Sequence, residues 1–556
     1  MKTKLEYSSS SANSPGAFFS EGEDGMQGLK ALFSQQDDVH SVISGMEVGL
    51  KEQLVAGLSG SARAVFLASI FEKTNRSVLV VTHNLLQAQK MYDDLTGLLG
   101  ENNLYLYPAN ELIAAELSIS SPELKAQRIE ALNYLASNNK GIVIAPMAGL
   151  RKILPPKQMW MRFQVSFSVG DEIEIDQLLN QFVDMGYVRS DLVAAPGEFS
   201  VRGGIIDIYP LTAVDPFRIE LFDTEVDSIR SFSLEDQRSK EKLDSVQIGP
   251  ATENVLDPSQ VEQLITGLES GLSKSLKKLK DEKAKSQLMQ NIEYELELLR
   301  NGQKPDQLFK YLSLAYGQPH SLLDYLSEEG FLFIDEVGRV QEMNESLNKD
   351  EAEWYTDLLS AGQIIHDIQV SHQLPDLLQK TNRSIIYTNL FLRHVPNTNP
   401  QNIVNTSCKP MQNFHGQMNV LKGEIERWKK GNYTVVLMGA DEERALKLER
   451  VLEDYEIEAI RIPDSESILM EKVQIVEGSL NTGFEMPIQK LAVLTEEELF
   501  NKKVKRTKRR QKLSNAERIK SYSELKVGDY VVHVNHGIGK YLGIETLVIN
   551  GVHKDY

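Results

Sequence analysis

The chain has 556 residues, 41% hydrophobic and 25% charged, with a net charge of −19 and a single cysteine, Cys408. That length predicts three to five domains, each burying a core of its own. The acidic balance excludes a general nucleic-acid binder, the lone thiol excludes an internal disulfide or a cysteine-rich metal site and points to a reducing cytoplasm, and no apolar run is long enough to cross a membrane.

Residues 1–28 are polar, rich in Ser, Asn and Gly, and lack the apolar segment of a secretory signal, so they read as a disordered leader. The apolar Leu54-Val55-Ala56 then leads through a Gly-containing segment into the helical VFLASIFEK. Ser77–Thr82 is a β-branched run followed by HNLLQAQKMYDDLTGLLG, whose apolar residues recur at helical spacing and stop at Gly100. Strand candidates at Leu104–Tyr107 and in GIVIAPM, with SPELKAQRIEALNYLAS between them as a helix, repeat that alternation. Such repetition predicts a doubly wound, mostly parallel sheet.

From about Val165 the pattern becomes strand-and-turn, in GEFSVRGGIIDIYP and PFRIELFDTEVDSIRSFS, as expected of a small inserted β-rich domain. Helical spacing returns at Leu272, Leu276 and Leu279, then Leu288, Ile292, Leu296 and Leu299, before FLFIDE supplies another buried strand. A further α/β block runs from about Arg383 to Leu494. The last segment, LKVGDYVVHVNHGIGKYLGIETLVINGVHKDY, has closely spaced strands with glycine-marked turns, the opening of a small barrel that stops mid-domain and points to a piece of a longer chain.

The fold class is therefore multidomain α/β. The expected divisions are the leader 1–28, an α/β domain in two parts (29–160 and 251–375), the inserted domain 161–250, a third α/β domain 376–497, a basic linker 498–522 and an incomplete barrel 523–556. Ten Lys/Arg and one Glu in 502–520 give that stretch a charge of +9 and leave the remainder at −28. Without apolar periodicity it reads as a solvated interdomain linker, with a nucleic-acid-binding arm as the alternative. His533 and His536 lack a nearby cysteine or carboxylate cluster, so no metal site is expected.

Chemistry concentrates at a damaged motif. A phosphate loop, GxxxxGK[ST], uses glycines to let backbone amides wrap phosphate oxygens, a lysine to reach the outer phosphates, and a hydroxyl to hold magnesium. Here the segment is Gly57-Leu58-Ser59-Gly60-Ser61-Ala62-Arg63-Ala64, with Ala62 for the last glycine, Arg63 for the lysine and Ala64 for the hydroxyl residue. An alanine resists the left-handed backbone often needed there, and its methyl cannot ligate a metal. Asp335 and Glu336 end an apolar strand as a second nucleotide-linked motif does, where the aspartate would hold Mg²⁺ and the glutamate orient water. Without a working loop opposite, they are expected to cap the strand end or to pair with local basic groups.

The altered loop, VLVVTHNLLQAQKMYDDL, GYVRSDLVAAPGEFSVRGGIIDIYP and FLFIDE resemble, in order, the nucleotide-excision-repair protein UvrB. TSCKPMQNFHGQMNVLKGEIERW and VGDYVVHVNHGIGKYLGIETL are similar instead to the transcription-repair coupling factor family. The resemblance covers essentially the whole chain after the leader. It implies a UvrB-like helicase-type α/β domain with its inserted domain, a further α/β domain, and the start of a Tudor/SH3-like barrel. It also implies transcription-coupled repair, with docking on stalled RNA polymerase and recruitment of UvrA. In the family an ATP- and Mg-using motor acts on double-stranded DNA and displaces the polymerase; this chain lacks it, and no cofactor is expected here.

Carried over position by position, the UvrA-binding edge includes Tyr187 and Arg189 of GYVR and Phe199, Arg202 and Gly203 of GEFSVRGG. Arginines make charge-assisted contacts and are favoured interface anchors, while Phe199 could equally be strand packing. UvrB-like sequences usually carry an arginine at the position of Ser200 and an acidic residue at that of Gly204. Where UvrB has a long tyrosine-rich DNA hairpin, this chain has only PANELIAAELSISSPE, without an aromatic residue for stacking on bases. The barrel would engage the RNA polymerase β subunit by strand addition, with Ile544, Thr546 and Leu547 as candidates, although Ile544 could also be a core residue. Two functional classes remain: an interaction scaffold, and a UvrB-like ATP-using DNA-repair enzyme. Ala62, Arg63 and Ala64 favour the scaffold.

Overall fold

Short runs of β-branched and aromatic residues, apolar at consecutive positions, set the frame, because only a strand covered on both faces tolerates them. The computed structural model describes residues 26–110, 122–462, 468–500, 530–533, 537–541, 546–549 and 552–555. Two compact units divide it, 1–509 and 510–556.

The first unit is built on a seven-stranded parallel sheet. Its spatial order is Asn402–Asn405, Glu52–Ala56, Ser384–Asn389, Phe331–Ile334, Val78–Thr82, Ile142–Pro146 and Leu104–Leu106. Val78–Thr82 and Phe331–Ile334 are buried along their whole length, as a central strand requires. The following helix, Leu85–Leu99, starts where the Asn84 side chain accepts the Gln87 amide and stops at Gly100. This order brings the C-terminal end of Phe331–Ile334 close to the loop after Glu52–Ala56, with one strand between them.

A two-stranded antiparallel neck, Val165–Ser168 with Ser245–Ile248, joins the inserted domain. Its six-stranded sheet runs Ser239–Leu243, Glu225–Phe232, Phe217–Phe222, Ile205–Ile208, Glu198–Arg202 and Val188–Arg189. Helices Pro258–Lys278 and Glu282–Arg300 then lead back toward the first sheet, capped by Asp257 and Asp281.

The third sheet is ordered Lys409–Pro410, Phe484–Met486, Leu491–Leu494, Thr434–Gly439, Val473–Glu477 and Ile460–Ile462. Alternation along its strands divides two cores. Val435, Leu437, Ile475, Ala492 and Leu494 pack with Leu421, Trp428, Leu448 and Leu452 of the helices Met418–Lys430 and Glu442–Asp454. Val436, Met438, Val476, Phe484 and Val493 face the other way and join Phe33, Val65, Phe66 and Ile70 of the first domain. The rings of Phe33 and Phe484 meet edge to face at 5.9 Å.

Two expected boundaries change, and one core proves to be shared. Ser384–Asn389 and Asn402–Asn405 belong to the first sheet, so the third domain begins near Lys409 rather than at 376. One face of its sheet closes a core with its own helices, while the other, among the described residues, packs on the first domain and shares that domain's core. The leader is shorter than 1–28, because Met26 is buried and precedes the helix Gln27–Ser34. Residues 1–25, the basic stretch 502–520, His536 and Ile544 lie outside the described residues.

The second unit holds two antiparallel hairpins, Tyr530–His533 with Gly537–Lys540 and Thr546–Ile549 with Val552–Asp555. Among the described residues no helix is long and apolar enough to cross a membrane.

Candidate functional site

The loop after Glu52–Ala56 keeps two left-handed glycines of a phosphate loop but little of its free surface. Gly57 and Gly60 are left-handed, with φ of +93° and +55°. Ala62 is not: it begins the helix Ala62–Thr74, so its methyl meets no left-handed backbone there, contrary to the expectation from sequence. The Gly57 amide donates to Asn389 O at 2.9 Å and the Ala62 amide to Ser59 O at 3.2 Å, so both donors are already used. A Cβ built on Gly57 would lie 1.9 Å from Thr406 O, and one on Gly60 would lie 2.7 Å from Thr482 Oγ1. Neighbouring chain thus covers the loop. Cys408 Sγ rests on it too, donating to Ser59 O at 3.8 Å, and burial pushes its thiol up to about 11, which makes it a poor nucleophile at neutral pH.

Arg63 gains a role that its reading as a lost lysine did not anticipate. Its Nη1 stands 2.7 Å from Glu336 Oε1 and 3.3 Å from Asp335 Oδ1, an ion pair without the geometry of a straight hydrogen bond. Asp335 is fully buried and also accepts from Thr388 Oγ1 and Gln87 Nε2, each at 3.3 Å. Burial raises its pKa, with the Glu336 charge adding to the effect and Arg63 opposing it. Glu336 sits at φ +52° ahead of the helix Val337–Ser360, takes Arg339 Nε at 2.7 Å, and donates its amide to Thr388 Oγ1 at 2.9 Å. Two arginines therefore balance two carboxylates where an ATPase would place lysine and a divalent ion.

These residues do not fit a nucleotide with its metal. Ala64 is packed in the shared core and offers no ligand, and Arg63 already spans both carboxylates. No group of three metal-capable side chains converges among the described residues.

The inserted sheet presents a different surface. Its inner face holds Phe199, Ile206, Ile208 and Ile219, all fully buried. Tyr187 and Phe199 are corrected as contact residues: Tyr187 is 3% exposed and donates its hydroxyl to Gly249 O, and both rings pack on Phe182. Phe199 is turned inward by the alternation of its strand, and Tyr187, just ahead of Val188–Arg189, is held in the core by Phe182 and Gly249. Of the five positions named there, Arg189, Arg202 and Gly203 are exposed.

On the opposite face Ser200, Asp207, Arg218 and Arg230 lie side by side across four strands. Asp207 is fully buried and grips two arginines: Arg202 Nη2 at 2.7 Å, and Arg218 through Nε at 2.7 Å and Nη2 at 2.9 Å. That hydrogen bonding raises the Arg218 pKa. Arg202 keeps about half its side chain in solvent, at 48%, beside the Gly203-Gly204 turn, where Gly203 has φ +61° and open space at its Cβ position. Phe222, 78% exposed, stands on the adjoining hairpin. Arg218 and Phe222 were missed in the sequence, although the polar alternation of Arg218 and Glu220 within PFRIELF marks that face. Thr546 and Leu547 lie in the strand Thr546–Ile549, paired on one side with Val552–Asp555.

Removing one partner of a buried ion pair strands the other's charge, so Arg63→Ala should cost about 3 kcal/mol or more in urea unfolding. A loss within about 0.5 kcal/mol would show that Asp335 and Glu336 do not depend on it. Asp94 gives a pH test: it is buried against Asn481, and burial lifts its carboxyl from 3.8 to about 6. A raised folded pKa means that its stabilising contribution is complete below pH 3.8 and is lost as pH rises through 6. The stability of the wild type relative to Asp94→Asn should fall by about 3 kcal/mol between pH 3.5 and 7.5; a constant difference would contradict the assignment.

Residues 165–254 match the model of the UvrB interaction domain, and residues 525–556 match that of the CarD-like/TRCF RID domain. The transcription-repair-coupling factor of Bacillus subtilis (strain 168) is 54% identical over 531 residues, covering 96% of this chain and 45% of that protein. Its counterpart in Staphylococcus haemolyticus (strain JCSC1435) is 37% identical over 527 residues, 94% of this chain and 44% of that protein. That of Staphylococcus aureus (strain MRSA252) is 36% identical over 524 residues, with the same 94% and 44% coverage. The chain thus spans less than half the length of these relatives. Alignment over nearly all of its length, joined to the two domain matches, makes the chain a homologue of part of the transcription-repair-coupling factors.

Proposed function

We propose that this chain is the docking part of a transcription-coupled repair protein: it binds RNA polymerase through its C-terminal hairpins and recruits UvrA through the polar face of the inserted sheet. The observation that carries the reading is the Asp207 clamp. A buried carboxylate holds Arg202 and Arg218 on a rigid sheet, with exposed Phe222 on the neighbouring turn, inside the segment that matches the UvrB interaction domain. Pre-oriented arginines next to an exposed aromatic ring supply the charge-assisted and apolar anchors that dominate protein interfaces. Arg189, exposed on the two-residue edge strand Val188–Arg189 and in register with Phe199, stands at the border of the sheet beside that surface rather than on it.

The partner on the polymerase would be the β subunit, approached by strand addition along Thr546–Ile549. ATP-driven movement on double-stranded DNA is assigned to the part of the family protein beyond this segment. The segment itself uses no ATP or magnesium, a reading supported by Arg63 lying between Asp335 and Glu336. The cytoplasm is the compartment in which these partners meet.

Titration of purified UvrA onto the chain tests this. Arg202→Ala should weaken binding at least tenfold, about 1.4 kcal/mol, and Arg189→Ala should weaken it less, with no ATP turnover in the same preparation. Unchanged affinity in Arg202→Ala, or ATP hydrolysis abolished by Glu336→Gln, would replace the docking reading with an enzymatic one.

A further inference from the structure

The third domain is not explained by docking on either partner. We propose that it is an internal clamp, whose turn Asn481-Thr482-Gly483 permanently occupies the altered phosphate loop and fastens the first and third sheets together without nucleotide.

The turn makes three kinds of contact with the first domain. Asn481 donates twice to buried Asp94 Oδ1, from its backbone at 2.6 Å and from Nδ2 at 2.9 Å, and Nδ2 also reaches Lys90 O at 2.9 Å. The Thr482 amide donates to Ser61 Oγ at 3.0 Å. Gly60 lies so close to Thr482 and Gly483 that a Cβ there would sit 2.7 Å from one oxygen and 3.2 Å from the next. Asp94 belongs to the helix Leu85–Leu99 and Ser61 precedes the helix Ala62–Thr74, so one turn bridges two successive strand–helix units.

The turn is itself held from behind. Gly483 donates its amide to Glu498 Oε1 at 2.8 Å, while buried Glu498 Oε2 accepts from Thr495 N at 2.9 Å and Oγ1 at 2.6 Å. Phe484, the next residue, enters the shared core against Phe33. An exposed loop resting on a glycine would be free to lift, whereas this one is fixed on both sides by buried groups. In a nucleotide-using α/β protein the ligand's phosphates would draw such elements together. Here Asn481 and Thr482 supply the polar atoms.

Hydrogen–deuterium exchange on the full chain tests the clamp. In Asn481→Ala, amides of 57–66 and 88–98 should exchange about tenfold faster or more, while those of 217–232 in the inserted sheet stay at wild-type rates. Unchanged protection at 57–66 would overturn the proposal. A second arm does not depend on that variant folding: Ala62→Gly/Arg63→Lys restores the loop's glycine and lysine but leaves the turn in place. A fluorescent ATP analogue with Mg²⁺ should still not bind it. Saturable binding at micromolar analogue would show that the turn does not occupy the loop, and the clamp would be rejected.

Discussion

The helix Ala62–Thr74 is the constraint on which the rest of the first unit depends. Val65, Phe66 and Ile70 lie in a core shared by the first sheet and the third, and each of these side chains contributes roughly 2 kcal/mol by its burial. A helix enclosed in that way cannot move to admit a ligand at its N-terminus. Small residues at Ala62 and Ala64 suit the enclosure, and Arg63, at the mouth, is the one long side chain of that turn with somewhere to go. It reaches the carboxylates at the end of Phe331–Ile334. The arginine between the carboxylates and the joint between the two sheets are thus two aspects of one packing arrangement.

Rigidity at the old site has a consequence for the exposed one. The inserted sheet is tied by its neck and by the helices that follow it to the frame that the joint stabilises. Within it, Asp207 fixes the arginines without solvent exposure of its own, so little side-chain freedom remains to be lost when a partner arrives. Gly203 leaves the space above the turn open. The chain therefore combines a covered loop with a charged and pre-oriented surface, the combination on which the proposed docking role rests.

Much of this was legible in the sequence, for stated reasons. Glycines at 57 and 60, and the strand ending in Asp335 and Glu336, marked the altered site because their spacing is dictated by backbone geometry. The pairing of Arg63 with those carboxylates was not legible, since it depends on the spatial order of strands far apart in the chain. A further α/β block was legible between Arg383 and Leu494, but not that one face of its sheet would be covered by the first domain, since that depends on contacts far apart in the chain. Tyr187 was read as a contact residue, and Phe199 as either a contact or strand packing, because a motif says nothing about which side faces the core; their packing on Phe182 decides it. Arg218 was within reach of a simple alternation argument.

The most direct measurement is the footprint of UvrA on this chain, obtained by comparing hydrogen exchange of the free and bound proteins. Protection confined to 188–230, with 57–64 unchanged whether or not ATP is added, is the result that the account predicts. Protection centred on 57–64, or a footprint that appears only with ATP, would contradict it and return the altered loop to a working role.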